Sequence, residues 1–146
     1  MRHPNTFKIY DASAGSGKTY TLVKDYLILL LSSPRIDSYK NILAITFTNK
    51  AVAEMKSRII QGLHALAETK PSAGDQNFLT DISESSGIST GEIQKRSRDI
   101  LKHIIHNYAA FEVSTIDGFT HRVLRTFAKD LGLPLNFEVE LRTDDV

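Results

Sequence analysis

A run of small residues that ends in Gly-Lys-Thr is the feature that most limits what this chain can fold into. Small side chains leave backbone N–H groups accessible, and a lysine and a hydroxyl follow directly (Ala12, Ser13, Ala14, Gly15, Ser16, Gly17, Lys18 and Thr19). A flexible linker needs neither of the last two, whereas a loop that wraps its N–H groups around a phosphate needs both. The run therefore predicts a phosphate-binding loop; the alternative is a glycine-rich turn without a ligand.

The residues on either side of this run fit the P-loop pattern, in which a strand precedes the loop and a helix follows it. Residues 7–10 alternate as a strand does, and apolar residues recur at helical spacing from Gly17 until shortly before Pro34. Ala12 stands where the first glycine of the pattern is usual. The order strand, loop, helix is the context that the pattern requires.

In a loop of this kind each residue type has a chemical task. Lys18 would contact the β- and γ-phosphates of ATP, and the hydroxyl of Thr19 would bind Mg²⁺. We therefore expect ATP and Mg²⁺ as ligands, Lys18 and Thr19 as catalytic residues, and residues 12–20, including Tyr20, as the ATP-binding segment.

Further segments extend this unit into an α/β pattern. Residues 42–45 form a short apolar run, typical of a buried strand, and the next helix carries one apolar stripe (Val52, Met55, Ile59, Leu63 and Leu66). Residues 111–116 read as another strand, before a helix that Asp117 caps and Gly132 closes, and residues 137–141 alternate again. The sequence predicts a parallel sheet flanked by helices.

The middle of the chain has a different character. Residues 71–75 read as a break, residues 81–91 are rich in Ser and Gly, and a polar helix is predicted over residues 91–107. Residues 69–108 are therefore expected to form a mostly helical insertion. Its basic cluster either contacts duplex DNA or only keeps the helix soluble (Lys95, Arg96, Arg98 and Lys102).

The composition excludes several classes of protein. The 146 residues carry a net charge of +1, so nucleic-acid binding would depend on local placement of charge. There is no cysteine, which excludes thiolate metal sites and cysteine nucleophiles. We read no secretory signal, and the longest apolar run, residues 27–31, is too short to span a bilayer. We expect a cytoplasmic protein without a membrane partner.

Three segments, in this order along the chain, resemble motifs of the UvrD/Rep/RecB helicases of superfamily 1. Residues 12–19 resemble the family's P-loop, which begins with a small residue, and residues 42–56 resemble its motif Ia. Residues 114–119, with Arg122 and Arg125 after them, resemble its next DNA-contacting motif. The short stretch before the P-loop is closest in style to the RecB/AddA helicase–nuclease branch.

The resemblance implies a RecA-like P-loop NTPase fold and an ATP-dependent DNA helicase, or a helicase–nuclease subunit, that acts in DNA repair or recombination. Its partners would be single-stranded DNA, duplex junctions and a second helicase–nuclease subunit. Carried over position by position, it assigns DNA binding to two segments (Thr46, Phe47, Thr48, Asn49, Lys50, Ser114, Thr115 and Phe119).

The chemistry of these residues leaves alternatives open. Phe47 is either a platform on which bases stack or a core residue under the sheet. Thr48 and Asn49 are phosphate ligands, helix caps or both, and Lys50 either meets DNA or lies on a solvated face. Asp117 stands where the family often has histidine, and an aspartate there is expected to cap the helix.

The family's motif II, an apolar strand that ends in Asp-Glu, has no counterpart in residues 137–145. We therefore expect an N-terminal fragment of a longer helicase, incomplete as a domain and inactive in hydrolysis alone. Residues 1–68 would be the first part of the motor core, residues 69–108 the insertion, and residues 109–146 the core continued. Two other functions stay open, a small-molecule P-loop kinase and a non-hydrolysing ATP-binding assembly module.

Overall fold

The structure is a computed structural model that describes residues 9–10, 17–130 and 132. Within these residues helices and two short parallel strands alternate, so the chain is of the α/β class, as the sequence predicts. The elements are α1 (Lys18–Ser32), a 3-10 turn (Ser38–Asn41), β1 (Ala44–Thr46), α2 (Asn49–Ala67), α3 (Ala73–Ser86), α4 (Thr90–His106), a second 3-10 turn (Tyr108–Ala110), β2 (Val113–Thr115) and α5 (Ile116–Thr126).

The two strands lie side by side although α2, α3 and α4 separate them in sequence. They run parallel, and their register pairs Ala44 with Val113 and Thr46 with Thr115. Because the strands are parallel and in this register, their carboxyl ends meet at one edge of the sheet. Helices α2 and α5 each contact both strands.

One hydrophobic core joins α1 to the helices of the middle segment. Its fully buried members come from four helices and from the two 3-10 turns or the residues that follow them (Leu27, Leu30, Leu31, Tyr39, Ile59, Leu63, Leu66, Ile82, Ile93, Ile104 and Phe111). Helix α4 packs most extensively against α2. At the crossing of α1 and α2, Gly62 admits the side chain of Leu27, whose Cδ1 would lie 2.7 Å from a Cβ added there.

The helices with strong end signals lie where the sequence predicts them. Helix α1 ends at Ser32, shortly before Pro34, and α4 occupies nearly the predicted range. Helix α2 begins directly after its capping residue Thr48, whose Oγ1 accepts a hydrogen bond from the N–H of Ala51 at 3.1 Å. Most of its predicted stripe is buried (Met55, Ile59, Leu63 and Leu66).

Helix α3 differs from the prediction, because it runs through much of the Ser- and Gly-rich stretch. Ser72 caps it through a hydrogen bond from the N–H of Asp75 at 3.3 Å, and Gly87 ends it with a φ of +72°. Two apolar residues, Leu79 and Ile82, bury one face of the helix in the core. The serines of this stretch are poor helix indicators, so the sequence did not predict a separate helix here. Burial of its apolar face stabilises the helix.

The start of α5 corrects a second prediction. Strand β2 ends at Thr115 and α5 begins at Ile116, so Thr115 is the capping residue and Asp117 lies within the first turn. The Oγ1 of Thr115 accepts a hydrogen bond from the N–H of Gly118 at 3.1 Å. The helix also ends earlier than expected, at Thr126.

Parts of the predicted sheet lie outside the described residues, namely residues 7–8 of the first strand and the alternating residues 137–141. Residues 9 and 10, which are described, belong to no strand. Across the described part of the chain, no helix is both long and apolar enough to cross a membrane.

Candidate nucleotide and nucleic-acid site

The start of α1 has the properties of an anion site. Gly17 precedes the helix with a φ of +81°, a conformation that glycine adopts without strain, and among the described residues no side chain caps the first turn. The turn holds no acidic residue, and Lys18 is exposed. The first N–H groups of a helix have no partner within it, so this end offers hydrogen-bond donors beside a cation. Both suit a polyphosphate; residues 12–16 lie outside the described residues.

The next two residues of the predicted ATP-binding segment differ in their surroundings. Thr19 is half-buried in the first turn of α1. Tyr20 is half-exposed, and its ring packs at a tilt against Phe78 of α3, with the ring centroids 5.9 Å apart. The segment thereby contacts the middle part of the chain.

The carboxyl end of β1 carries the first predicted DNA-binding segment. The hydroxyl of Thr46 donates to the carbonyl oxygen of Thr48 at 3.2 Å, which fixes the turn between strand and helix. Phe47, between them, is 84% exposed, so the core interpretation of this residue is wrong. Asn49 and Lys50 are exposed in the first turn of α2, which holds no acidic residue.

The second predicted segment divides between the same edge and another surface. Thr115 is the register partner of Thr46, so the two carboxyl ends are adjacent. Ser114 is buried, with 8% of its surface exposed. Phe119 lies one turn into α5 and lines an apolar groove with Leu43, which comes before β1 in the chain. The structure thus brings Thr115 to the residues around Phe47 and places Phe119 on the groove.

The basic residues of α4 have contacts that the sequence did not predict. The Nη1 of Arg96 donates to the carbonyl oxygen of Leu31 at 2.7 Å, at the end of α1. The Nη1 of Arg98 donates to the carbonyl oxygen of Ala67 at 3.3 Å, at the end of α2. The Nε2 of Gln94 donates to the next carbonyl, of residue 68, at 2.8 Å.

Arg96 also holds an ion pair within its own helix. Its Nε lies 2.7 Å from Oε1 of Glu92, and this hydrogen bond holds the pKa of the Glu92 carboxyl below its ordinary value. The spacing of four residues between Glu92 and Arg96 is a signal that the sequence does carry. The carbonyl partners of Arg96 and Arg98 leave no such signal, because they come from distant helices.

The sequence matches the UvrD/REP helicase N-terminal domain over residues 2–145. The chain belongs to this family. The match covers nearly all of the chain, and it includes all three segments that resemble motifs of superfamily 1 helicases. The family membership that the motifs predicted is therefore confirmed.

Several named helicases and helicase–nuclease subunits are similar to most of the chain. The RecBCD enzyme subunit RecB of Haemophilus influenzae is 34% identical over 92% of this chain, which corresponds to 12% of RecB. An ATP-dependent helicase/nuclease subunit of Streptococcus agalactiae is 29% identical over 90% of this chain and 9% of its own length. DNA helicase II of Haemophilus influenzae is 30% identical over 88% of this chain and 12% of its own length. The chain thus spans about a tenth of these relatives. No solved structure matches it significantly.

Proposed function

We propose that this UvrD/REP-family chain serves an ATP-dependent DNA helicase, with a RecA-like P-loop fold, that acts in DNA repair or recombination. The observation that carries the proposal is the edge at which the carboxyl ends of β1 and β2 meet, with Phe47 exposed beside it. A hydroxyl, helix N–H groups and an aromatic ring together are what a passing nucleic-acid strand would contact. The names of the relatives, helicases and helicase–nuclease subunits, support the same function.

ATP is the proposed nucleotide, held by residues 12–20. Lys18 would bind the β- and γ-phosphates, and the N–H groups at the start of α1 would complete the phosphate cradle. Mg²⁺ bound with the nucleotide would be held by the hydroxyl of Thr19 and would neutralise charge on the phosphates. The exposed cation and the absence of an acidic residue in the first turn of α1 support this assignment.

Single-stranded DNA is the proposed polymer. Its phosphates would meet the hydroxyls, the amide and the ammonium group at the edge (Thr46, Thr48, Asn49, Lys50 and Thr115), and a base would stack on Phe47. Ser114 is buried and Phe119 lines a groove, so we propose that these two support the edge from behind. Duplex junctions would be met by the helicase as a whole.

The domain division is likewise a proposal. Residues 1–68 and 109–146 would belong to the motor core and residues 69–108 would be an insertion. Helices α3 and α4 of that insertion share one hydrophobic core with α1 and α2, so the insertion would move as one body with the motor. A second helicase–nuclease subunit is a proposed partner, because one relative is named as a subunit of the RecBCD enzyme.

The test is binding of the 146-residue chain to fluorescein-labelled oligo-dT and to a mixed-sequence oligonucleotide, measured by anisotropy at two salt concentrations. We expect binding to both oligomers and a fall of about 0.7 log units in affinity per tenfold salt for each phosphate contacted. An affinity for the oligonucleotides that does not change with salt concentration, or no binding at all, would contradict the proposal. Transfer of phosphate from ATP to a metabolite would favour the kinase alternative instead.

A further inference from the structure

Helix α4 holds the carboxyl ends of α1 and α2 at the same time. Arg96 reaches the end of α1, while Gln94 and Arg98 reach the end of α2. These are long-range contacts, 65 residues apart in sequence for Arg96 and 31 for Arg98. A helix that only covered the core would have no need to bind the ends of two neighbours.

The arrangement follows from the helical period. Ser97 is fully buried on the face of α4 that also buries Ile93, Ile100 and Ile104. Successive residues are turned by about 100° around a helix, so Arg96 and Arg98 leave opposite sides of this buried face. Gln94 lies four residues before Arg98, on the same side. The buried face of α4 therefore has hydrogen-bond donors on both sides, Arg96 toward α1 and Arg98 toward α2.

Both contacts are of the kind that stabilises a helix end. The last four carbonyl groups of a helix have no partner within it, and a cation there opposes the negative end of the helix dipole. Helix α1 has no basic residue in its own last turn, so Arg96 supplies the charge from outside. The ion pair with Glu92 holds the guanidinium of Arg96 in this position.

The opposite ends of α1 and α2 carry the two proposed binding sites. Helix α1 begins at the phosphate loop, and α2 begins at the edge that contains Phe47. The helices have 15 and 19 residues. At about 1.5 Å per residue, each helix is roughly 20–30 Å long. If a ligand moves the start of such a helix, the movement reaches the other end, where α4 makes its contacts.

We propose that Arg96 and Arg98 are positioning residues through which α4 couples nucleotide binding at α1 to DNA binding at α2. The inference rests on the proposed function, because it takes its two ligands from there. Such coupling changes the affinity for one ligand when the other is bound, and the factor is the same in both directions. If the contacts of Arg96 and Arg98 served only stability, their loss would lower the affinities for nucleotide and for DNA, or would unfold the chain. It would not change this coupling factor selectively.

The experiment measures the affinity of the 146-residue chain for labelled oligo-dT with and without a non-hydrolysable ATP analogue and Mg²⁺, and the affinity for the analogue with and without oligo-dT. For the unaltered chain we expect a factor of about 5–150 that agrees between the two directions. In Arg96→Gln and Arg98→Gln the separate affinities should stay close to those of the unaltered chain while the factor falls toward one.

Lys95→Gln is the matched control, because it removes a charge from the same helix. Lys95 is exposed, and in the described part of the chain it makes no hydrogen bond to α1 or α2. The coupling factor of the Lys95→Gln variant should therefore equal that of the unaltered chain. Arg96→Lys keeps a cation near the end of α1 and should retain part of the factor. Thermal melting shows whether each variant is folded. If Arg96→Gln is unfolded, the coupling factor of Arg98→Gln tests the inference.

Two results would overturn the inference while the proposed function stands. One is an unaltered chain that binds both ligands with a factor of one, and the other is a folded Arg98→Gln variant with the full factor. Failure of the unaltered chain to bind nucleotide or DNA is a different result, because it removes the proposed function and the inference together.

Discussion

Thr46 and Thr115 are register partners at the last position of two parallel strands, and a helix starts directly or shortly after each of them. The hydroxyl of Thr46 donates to the carbonyl oxygen of Thr48, and that of Thr115 accepts the N–H of Gly118. Two helix N-termini are thereby fixed to one sheet edge by threonine side chains. An edge of this kind offers hydroxyls and N–H groups with little freedom left to lose on binding.

The first prediction concerns the exposed ring of Phe47. If it stacks on a base, Phe47→Ala should weaken binding of oligo-dT and of a mixed-sequence oligonucleotide alike, by about 1–3 kcal/mol, because stacking does not read hydrogen-bonding groups. Fluorescence anisotropy measures both affinities. Ile105→Ala is the control, since Ile105 is an exposed apolar residue on α4. Equal affinities for Phe47→Ala and the unaltered chain would exclude the stacking role.

The second prediction concerns Lys18. Lys18→Ala should weaken ATP binding by about 1.5–3 kcal/mol, because it removes a charged hydrogen-bond donor from the phosphate site. The fold should be unaffected, since Lys18 is exposed. Calorimetry with Mg²⁺ and ATP measures the affinity, and Lys40→Ala, at an exposed lysine of the first 3-10 turn, is the control. An unchanged affinity in Lys18→Ala would contradict the phosphate-binding loop.

The parts of the fold that the sequence predicted are those with local causes. Helix α2 was recognisable because Thr48 is a capping residue and a stripe of apolar residues follows at helical spacing. Helix α1 was recognisable from its own apolar spacing and from Pro34 beyond its end. In each case the residues that fix the element lie within a few positions of one another.

The parts that were missed depend on distant residues. Helix α3 does carry local end signals in Ser72 and Gly87, but its stability depends on burial of Leu79 and Ile82 against other helices, which lie far away in the chain. The exposure of Phe47 was left open rather than missed, because an aromatic residue in the sequence is as consistent with a core as with a surface. The partners of Arg96 and Arg98 are main-chain oxygens of α1 and α2, and a carbonyl has no signature in the sequence.

The third prediction concerns acid. The hydrogen bond from Arg96 lowers the pKa of Glu92 from its ordinary value of 4.5, so the folded state holds this carboxylate ionised more readily than the unfolded chain does. The resulting stability is present above pH 4.5 and is lost as the pH falls through the lower, folded-state pKa. Urea unfolding should show the unaltered chain more stable than Glu92→Gln at pH 6, with the difference shrinking below pH 4.5. A difference that is constant with pH would show that Glu92 acts through packing alone.

The last prediction concerns the crossing of α1 and α2 at Gly62. Alanine favours a helix over glycine by about 1 kcal/mol, so Gly62→Ala would stabilise α2 if space allowed. However, the new Cβ would lie 2.7 Å from Cδ1 of Leu27, whose side chain is fully buried in the core. Overpacking of this kind costs about 1–3 kcal/mol, which exceeds the gain in helix propensity.

We therefore expect a net loss of about 1 kcal/mol in the free energy of unfolding of Gly62→Ala, the difference between these two effects. Gly91→Ala is the matched control, because Gly91 also lies in a helix and an added Cβ there meets nothing within 4 Å. That variant should gain stability, by up to about 1 kcal/mol. Denaturant unfolding of both variants measures the two signs. If Gly62→Ala is as stable as Gly91→Ala, Leu27 moves aside without cost, and the close approach of α1 and α2 does not require glycine.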